Sequence, residues 1–285
     1  GEEELDLISK AITHAKPLNI KDPESIDVIA NQLSNKEGET KKFLTQTLKN
    51  TYPLHPVVAG MLGPISRRRF GQNQRSIFGF LNSAEPLGFQ SFIESHEVGE
   101  AYRPEQYFDY LRVNLEPTIA ASSDGHRWAM ATQHVDACES RTGDSGLLPS
   151  LMKTIALIDL FRGGSRMLAT PRVIEVAFSQ YPSQEVKRSI QKLIDQKSIR
   201  LRKHLSNEGT YSIFEGSDFD IDEALTAARH QIKEIDLMSL SAVCSLAPIV
   251  GKEHYHTTGC IRWMSLELMP VATLKPEQFP ESLFN

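Results

Sequence analysis

The chain of 285 residues has few cysteines and no long apolar segment. Its three cysteines, Cys138, Cys244 and Cys260, are widely spaced and odd in number, which argues against a disulfide framework and favours a reducing compartment. No apolar run approaches the roughly 18 residues that a membrane span requires. We therefore expect a cytoplasmic protein without membrane contact. The 17 glycines and 15 prolines follow no period, which excludes a collagen-like chain.

Several catalytic motifs are also missing. The Walker A pattern GxxxxGK[ST] does not occur, because Gly163-Gly164 is followed by SRMLAT and Gly251-Lys252 is followed by Glu253. There is no GxSxG nucleophile elbow and no HExxH helix. We therefore expect no catalytic residues in this chain, no bound cofactor and no ATP hydrolysis by the chain alone.

Two segments resemble metal sites but lack ligands. Segment 254–260 supplies two histidines and one cysteine without a recognisable fourth ligand, and a structural zinc site needs four. Segment 218–222 carries three alternating aspartates, as a calcium loop does, but lacks the glycine and the glutamate that complete such a loop. We expect no metal at either segment, and interpret the aspartates as stabilising the start of a helix.

Helical periodicity dominates residues 1–145, which we predict to be a helical domain. The expected helices lie at about 5–15, 22–33, 36–50, 87–95, 104–115 and 126–141. Between Tyr52 and Ser83 the chain carries three prolines, an arginine triplet and a short apolar helix. No alternating strand pattern of useful length precedes residue 195.

Residues 146–216 show a different order of elements. The first predicted helix covers LLPSLMKTIALIDLFR and is amphipathic, the second is capped by Thr170 and the third is capped by Ser183. Two alternating strands follow at 198–204 and 210–215. Three helices and a two-stranded wing predict a winged helix-turn-helix.

The last segment, residues 217–285, is predicted to hold a linker helix to about Ile235 and a strand over Cys260–Met269. Its core would be too small to stand alone. We interpret it as a short α/β appendage or as the truncated start of a next domain. Glycine in place of methionine at position 1 favours a fragment of a longer protein.

The net charge of −5 is unevenly distributed. Residues 146–216 hold 11 basic and 6 acidic residues, whereas the rest of the chain holds 20 basic and 30 acidic residues. Cations on the outer face of the third helix and on the wing would neutralise DNA phosphates. The candidate DNA-binding residues are Lys187, Arg188, Gln191, Lys192, Arg200, Arg202 and Lys203. The alternative is a winged helix that contacts only protein.

A second cationic cluster consists of Arg67, Arg68, Arg69 and Arg75. Guanidinium groups bind phosphate in a bidentate manner, so arginines that converge from a loop and a helix start suit a nucleotide γ-phosphate or a nucleic-acid backbone. The alternative is a solvated turn whose arginines pair with glutamates.

The segment YPLHPVVAGMLGPISRRRFGQNQRSIFGFLNSAEP resembles part of large prokaryotic P-loop ATPases of the AAA+/STAND-like kind, often encoded in phage-defence or DNA-modification gene clusters. ALIDLFRGG, FEGSDFDID and HYHTTGCIRW are similar to downstream parts of that family, so the resemblance covers about residues 50–265. It implies a mainly α fold, in which residues 1–145 form a lid-like helical bundle and residues 146–216 its winged helix. It also implies that the P-loop, with its ATP and Mg²⁺, lies upstream, and that one of the four arginines contacts this nucleotide across a domain or subunit boundary.

Three functions are therefore predicted, in order of preference. The first is a non-catalytic regulatory or oligomerisation fragment of a multidomain ATP-binding protein. Its partners would be the upstream P-loop domain, a second copy of the chain in a homo-oligomer, and DNA. The second is a self-contained winged-helix DNA-binding regulator, and the third is a protein–protein interaction scaffold.

Overall fold

The computed structural model describes residues 2–14, 23–34, 39–68, 77–142, 146–203, 208–216, 221–231 and 236–270. The chain forms two compact units, Gly1–Phe219 and Asp220–Asn285. The described residues are mainly helical, as predicted, with a few short strands. The boundary predicted at 216/217 lies close to the division between the units, whereas the boundary predicted at 145/146 falls inside the first unit.

The first unit is built from helices and one strand pair. In chain order these are α1 (Glu2–Ala11), α2 (Pro23–Leu33), α3 (Glu39–Asn50), α4 (Pro56–Ser66), α5 (Ile77–Leu81), α6 (Phe89–Ser95), α7 (Pro104–Ala120), α8 (Gly125–Thr142), α9 (Leu147–Leu160), α10 (Pro171–Ala177), α11 (Ser183–Asp195), β1 (Ile199–Arg202) and β2 (Thr210–Ile213). β1 and β2 are antiparallel, with Ile199 opposite Ile213.

Local signals explain the start of α10 but not that of α11. α10 begins with Pro171 after Thr170, whose hydroxyl accepts a hydrogen bond from Val173 N at 3.2 Å, as predicted. The predicted cap at Ser183 is wrong, because Pro182 is the N-cap residue of α11 and Ser183 is already helical. The Ser183 hydroxyl instead donates to Glu175 Oε1 at 2.5 Å. This bond connects the start of α11 to α10.

Helix α9 lies at the centre of the first unit. All of its residues except Leu147 and Ser150 are buried. It packs against α7, α8, α10, α11 and β2. The predicted amphipathic helix is therefore a core helix, since a helix that is apolar all round needs partners on every side. Those partners come from both sides of the predicted 145/146 boundary.

Lys153 is one of two charged residues on α9, and both are buried. Its Nζ lies 2.9 Å from an Asp109 oxygen on α7 and 2.7 Å from a Glu139 oxygen on α8. Burial lowers the pKa of Lys153, but hydrogen bonds to the two carboxylates outweigh it and raise the pKa above its ordinary value. The ammonium group therefore stays charged and connects three helices.

The second unit contains α12 (Ile221–Gln231), α13 (Leu237–Cys244), β3 (Ile249–Val250), α14 (Lys252–Thr258) and β4 (Trp263–Met264). The long strand predicted after Cys260 is shorter, because only Trp263 and Met264 pair with β3. Every side chain described in this unit is at least partly exposed. Across the described residues of both units, no helix has the length and apolarity needed to cross a membrane.

We predict that Lys153→Met lowers the free energy of unfolding by about 3 kcal/mol, because Asp109 loses its hydrogen-bonded cation and Glu139 keeps only its pair with Arg112. Urea denaturation of the full chain measures this change. The control is Lys42→Met on α3, since Lys42 is exposed and we expect a change within about 0.5 kcal/mol there. Equal, small effects of the two substitutions would contradict a central role for Lys153.

Candidate functional site

Helix α11 presents one apolar and one polar face. Val186, Ile190 and Leu193 are buried against the body of the first unit. The turn at 178–182 connects α10 to α11, and the β1–β2 hairpin follows α11 directly. The elements predicted for residues 146–216 are thus present in the predicted order.

The polar face of α11 is open to solvent. The four candidate DNA-binding residues on it are all exposed: Lys187, Arg188, Gln191 and Lys192. Lys187 lies 3.8 Å from Glu175, and Gln191 donates a hydrogen bond to Asp195 at 2.8 Å. An exposed ion pair of this length contributes little, so the Lys187 ammonium group remains accessible to an external anion.

The hairpin differs from the prediction at its far end. Lys203 is exposed and Arg200 is partly buried, but Arg202 is only 6% exposed. The Arg202 side chain is therefore buried, and its contact with DNA phosphate stays a prediction. The alternation reverses because Leu201, which is 39% exposed, covers the turn instead of the core. Gly209 has a φ of +81°, which favours glycine, and a Cβ added there would lie 2.9 Å from Leu201 Cδ1.

Asp159 holds the hairpin against the helices. This second buried charge of α9 accepts a hydrogen bond from Ile213 N at 3.1 Å and one from Arg127 Nη2 at 2.9 Å. Arg127, on α8, also pairs with Glu215 at 3.1 Å. All four residues of β2 are buried. The strand is therefore fixed to the body, and the hairpin does not project freely from it.

Arg67 lies at the carboxyl end of α4, and Arg69 and Arg75 lie outside the described residues. Arg67 Nη1 donates to both carboxylate oxygens of Glu4 at 2.7 Å, and Nη2 donates to the Gly164 carbonyl at 3.1 Å. Together these three hydrogen bonds use three of the five N–H donors of the Arg67 guanidinium group.

Arg68 is engaged in a similar way. It lies 3.2 Å from Asp124 and donates to the Gly163 carbonyl at 3.3 Å. Both described arginines of the cluster thus bind carboxylates and the turn at 163–164. These contacts match the alternative of a turn with acidic partners, and they bring α4 to the turn that precedes α10.

The two segments that were considered as metal sites lie in or next to the second unit. The histidines of segment 254–260 lie on α14, and Cys260 follows that helix. Cys260 is exposed. The acidic segment 218–222 falls outside the side chains that the structure describes.

A cleft of about 630 Å³ beside the start of α4 was not predicted. Its described walls come from α2, α3, α4, α6, α7, the two segments that connect α3 to α4 and α6 to α7, and the turn before α11. We call it the His55 cleft. The sequence signal was a histidine directly before Pro56, in a position suited to capping a helix. That signal marks the helix start but does not show which distant segments surround it.

His55 is 5% exposed and caps α4, since its Nδ1 accepts a hydrogen bond from Val57 N at 3.2 Å. Burial, assisted by the nearby charge of Arg103, lowers the pKa of His55 to about 3. The ring is therefore neutral near pH 7. Because a backbone N–H occupies Nδ1, the ring proton lies on Nε2.

This shift has a consequence for stability. The ordinary pKa of the ring is 6.5, so His55 is protonated in the unfolded chain below that pH. In the folded protein it stays neutral down to about pH 3. We therefore predict that stability falls with decreasing pH across this window, by up to about 1.4 kcal/mol per pH unit from this group. His55→Asn keeps a capping acceptor and should show a shallower decline in urea denaturation between pH 6.5 and 4. Identical pH profiles for the two proteins would be the contrary result.

Comparison with protein-family models, curated proteins and solved structures finds no match for this chain. The resemblance to P-loop ATPases therefore depends on the sequence segments quoted above. The exposed face of α11 and the contacts that hold this helix in place are the structural features that bear on function.

Proposed function

We propose that this chain is a DNA-contacting regulatory module, in which α9, α10, α11 and the β1–β2 hairpin act as a winged helix. The observation that carries the proposal is the exposed cationic face of α11, opposite its buried apolar side. In winged helices of this order the third helix enters the major groove of DNA.

The side chains of α11 suit that contact. Lys187, Arg188 and Lys192 are exposed cations that would neutralise backbone phosphates. Gln191 lies among them and carries an amide that can hydrogen-bond to base edges. Glu185 and Asp195, near the two ends of the helix, limit the cationic surface to its middle turns.

The contacts that hold α11 in place also support the proposal. The helix packs on the buried α9, and Asp159 fixes the hairpin that follows. Lys203, at the far end of β1, adds an exposed cation beyond the helix. A recognition helix that is held rigidly loses little conformational freedom on binding.

We also propose that the module belongs to a larger ATP-binding protein, as a non-catalytic regulatory or oligomerisation part. The resemblance supports this, and one contact favours it. Arg67 and Arg68 attach the end of α4 to the turn at 163–164, just before α10. A nucleotide-dependent shift of the arginine segment would therefore act directly on the winged helix.

The DNA contact predicts that Lys187→Glu combined with Arg188→Glu weakens duplex binding at least about tenfold at low salt, because two phosphate contacts become repulsive. The slope of log Kd against log salt should fall by about two. Fluorescence anisotropy of a labelled duplex over a salt series measures both quantities.

The matched control is Lys41→Glu with Lys42→Glu on α3, which changes the net charge equally at another surface. An equal loss of binding in the control would show a general charge effect and not a site. Absence of duplex binding by the unmodified chain, even at about 20 mM salt, would contradict the proposal and favour the protein-scaffold alternative.

The ATP-binding parent predicts that a version of the protein extended upstream hydrolyses ATP, and that Arg75→Ala reduces the rate without unfolding it. Phosphate release and circular dichroism measure the two properties. An extended protein that neither binds nor hydrolyses ATP would contradict this part of the proposal and leave the DNA contact untouched.

A further inference from the structure

The His55 cleft takes no part in the proposed DNA contact, yet it combines apolar walls with polar groups. Ile26 on α2, Leu48 on α3 and Leu54, just before α4, line it. Phe92 adds an aromatic wall, with its ring stacked on that of His96 at 4.1 Å between centroids. A volume of about 630 Å³ is typical of sites for small molecules.

The strongest feature is the second nitrogen of His55. The Val57 amide occupies Nδ1, so Nε2 carries the ring proton and must donate it. Among the described residues, none accepts a hydrogen bond from Nε2. Nε2 is thus a donor that is available to a molecule in the cleft. His55 lines the cleft, which gives an acceptor access to it.

The other polar groups of the cleft are mostly donors. Lys49, in the last turn of α3, lines it and forms no ion pair with any described residue. Gln106 accepts a hydrogen bond from Arg103 N at 2.7 Å through Oε1, which leaves its amide NH₂ group as a donor. Glu100 is the one carboxylate among the described lining residues.

Arg103 contributes charge but few free donors. Its guanidinium group donates to the Ala177 carbonyl and, at 2.5 Å, to Gln180 Oε1, and it pairs with Glu105 at 3.2 Å. The charge of Arg103 is therefore largely balanced by Glu105. Lys49 is left as the main cation for a ligand.

We propose that the His55 cleft binds a small organic carboxylate with an apolar or aromatic body. The carboxylate accepts hydrogen bonds from His55 Nε2 and from the Lys49 ammonium group. The body of the ligand packs against Leu48 and Phe92. A neutral amide would satisfy His55 but leave Lys49 without a counter-charge, and a cation would satisfy neither group.

The test is an NMR titration of the full chain, whose histidines are labelled with ¹⁵N. Benzoate is the probe ligand. Benzoate is expected to shift the His55 Nε2 resonance saturably, with a Kd on the order of 1 mM, typical for so small a ligand. Benzamide has the same shape without the charge and should bind at least about tenfold more weakly. Benzylamine should not bind.

Two variants locate the site; each is uniformly ¹⁵N-labelled, so that backbone amide shifts near Tyr52 report binding. His55→Asn keeps the cap of α4 but removes the Nε2 donor, and Lys49→Met keeps the aliphatic stem but removes the charge. Each should weaken benzoate binding at least about tenfold, whereas Lys42→Met on the same helix should leave it unchanged. If His55→Asn fails to fold, the proposal is still tested by benzoate binding to Lys49→Met and by the comparison of benzoate, benzamide and benzylamine.

Three results would overturn the proposal. They are the absence of a saturable shift up to about 20 mM benzoate, benzamide binding as tightly as benzoate, and unchanged binding in Lys49→Met. All three are measured without DNA, so they are independent of the function proposed for α11.

Discussion

A helix that is buried on every side must neutralise its charges inside the protein, and α9 does so in two directions. Lys153 is paired with carboxylates on α7 and α8. Asp159 binds Arg127 on α8 and the Ile213 amide of β2. Because a buried charge without a partner destabilises a protein by several kcal/mol, these contacts determine where α7, α8 and the hairpin lie.

The position of α11 follows from that arrangement. Its apolar side covers α9, so its cationic side faces outward. Arg103, at the start of α7, donates to the Ala177 carbonyl and to Gln180, and so holds the turn that leads into α11. Ser179 and Gln180 of the same turn also line the His55 cleft. The cleft, the turn and the exposed helix are therefore contiguous parts of one unit.

Signals that act within a few residues were readable from the sequence. Pro171 after Thr170 identifies the start of α10, because both residues act within one turn of helix. The roles of Lys153 and Asp159 were not readable, since their partners are distant in sequence and an isolated helix with charges looks amphipathic. The burial of Arg202 was missed for a related reason: Leu201 packs on the turn glycine, a contact that strand alternation does not include. The walls of the His55 cleft come from several segments that are distant in sequence, so no local sequence pattern indicates it.

The central claim is that α9 unites the residues on both sides of position 145 into one cooperative unit that presents α11. Native-state hydrogen exchange of the full chain at increasing urea tests this most directly. If the claim holds, the most protected amides of α7 and α8 open with the same free energy as those of α11 and β2. Opening of α11 and β2 at a clearly lower free energy, while α7 and α8 remain protected, would contradict it and indicate a separate domain.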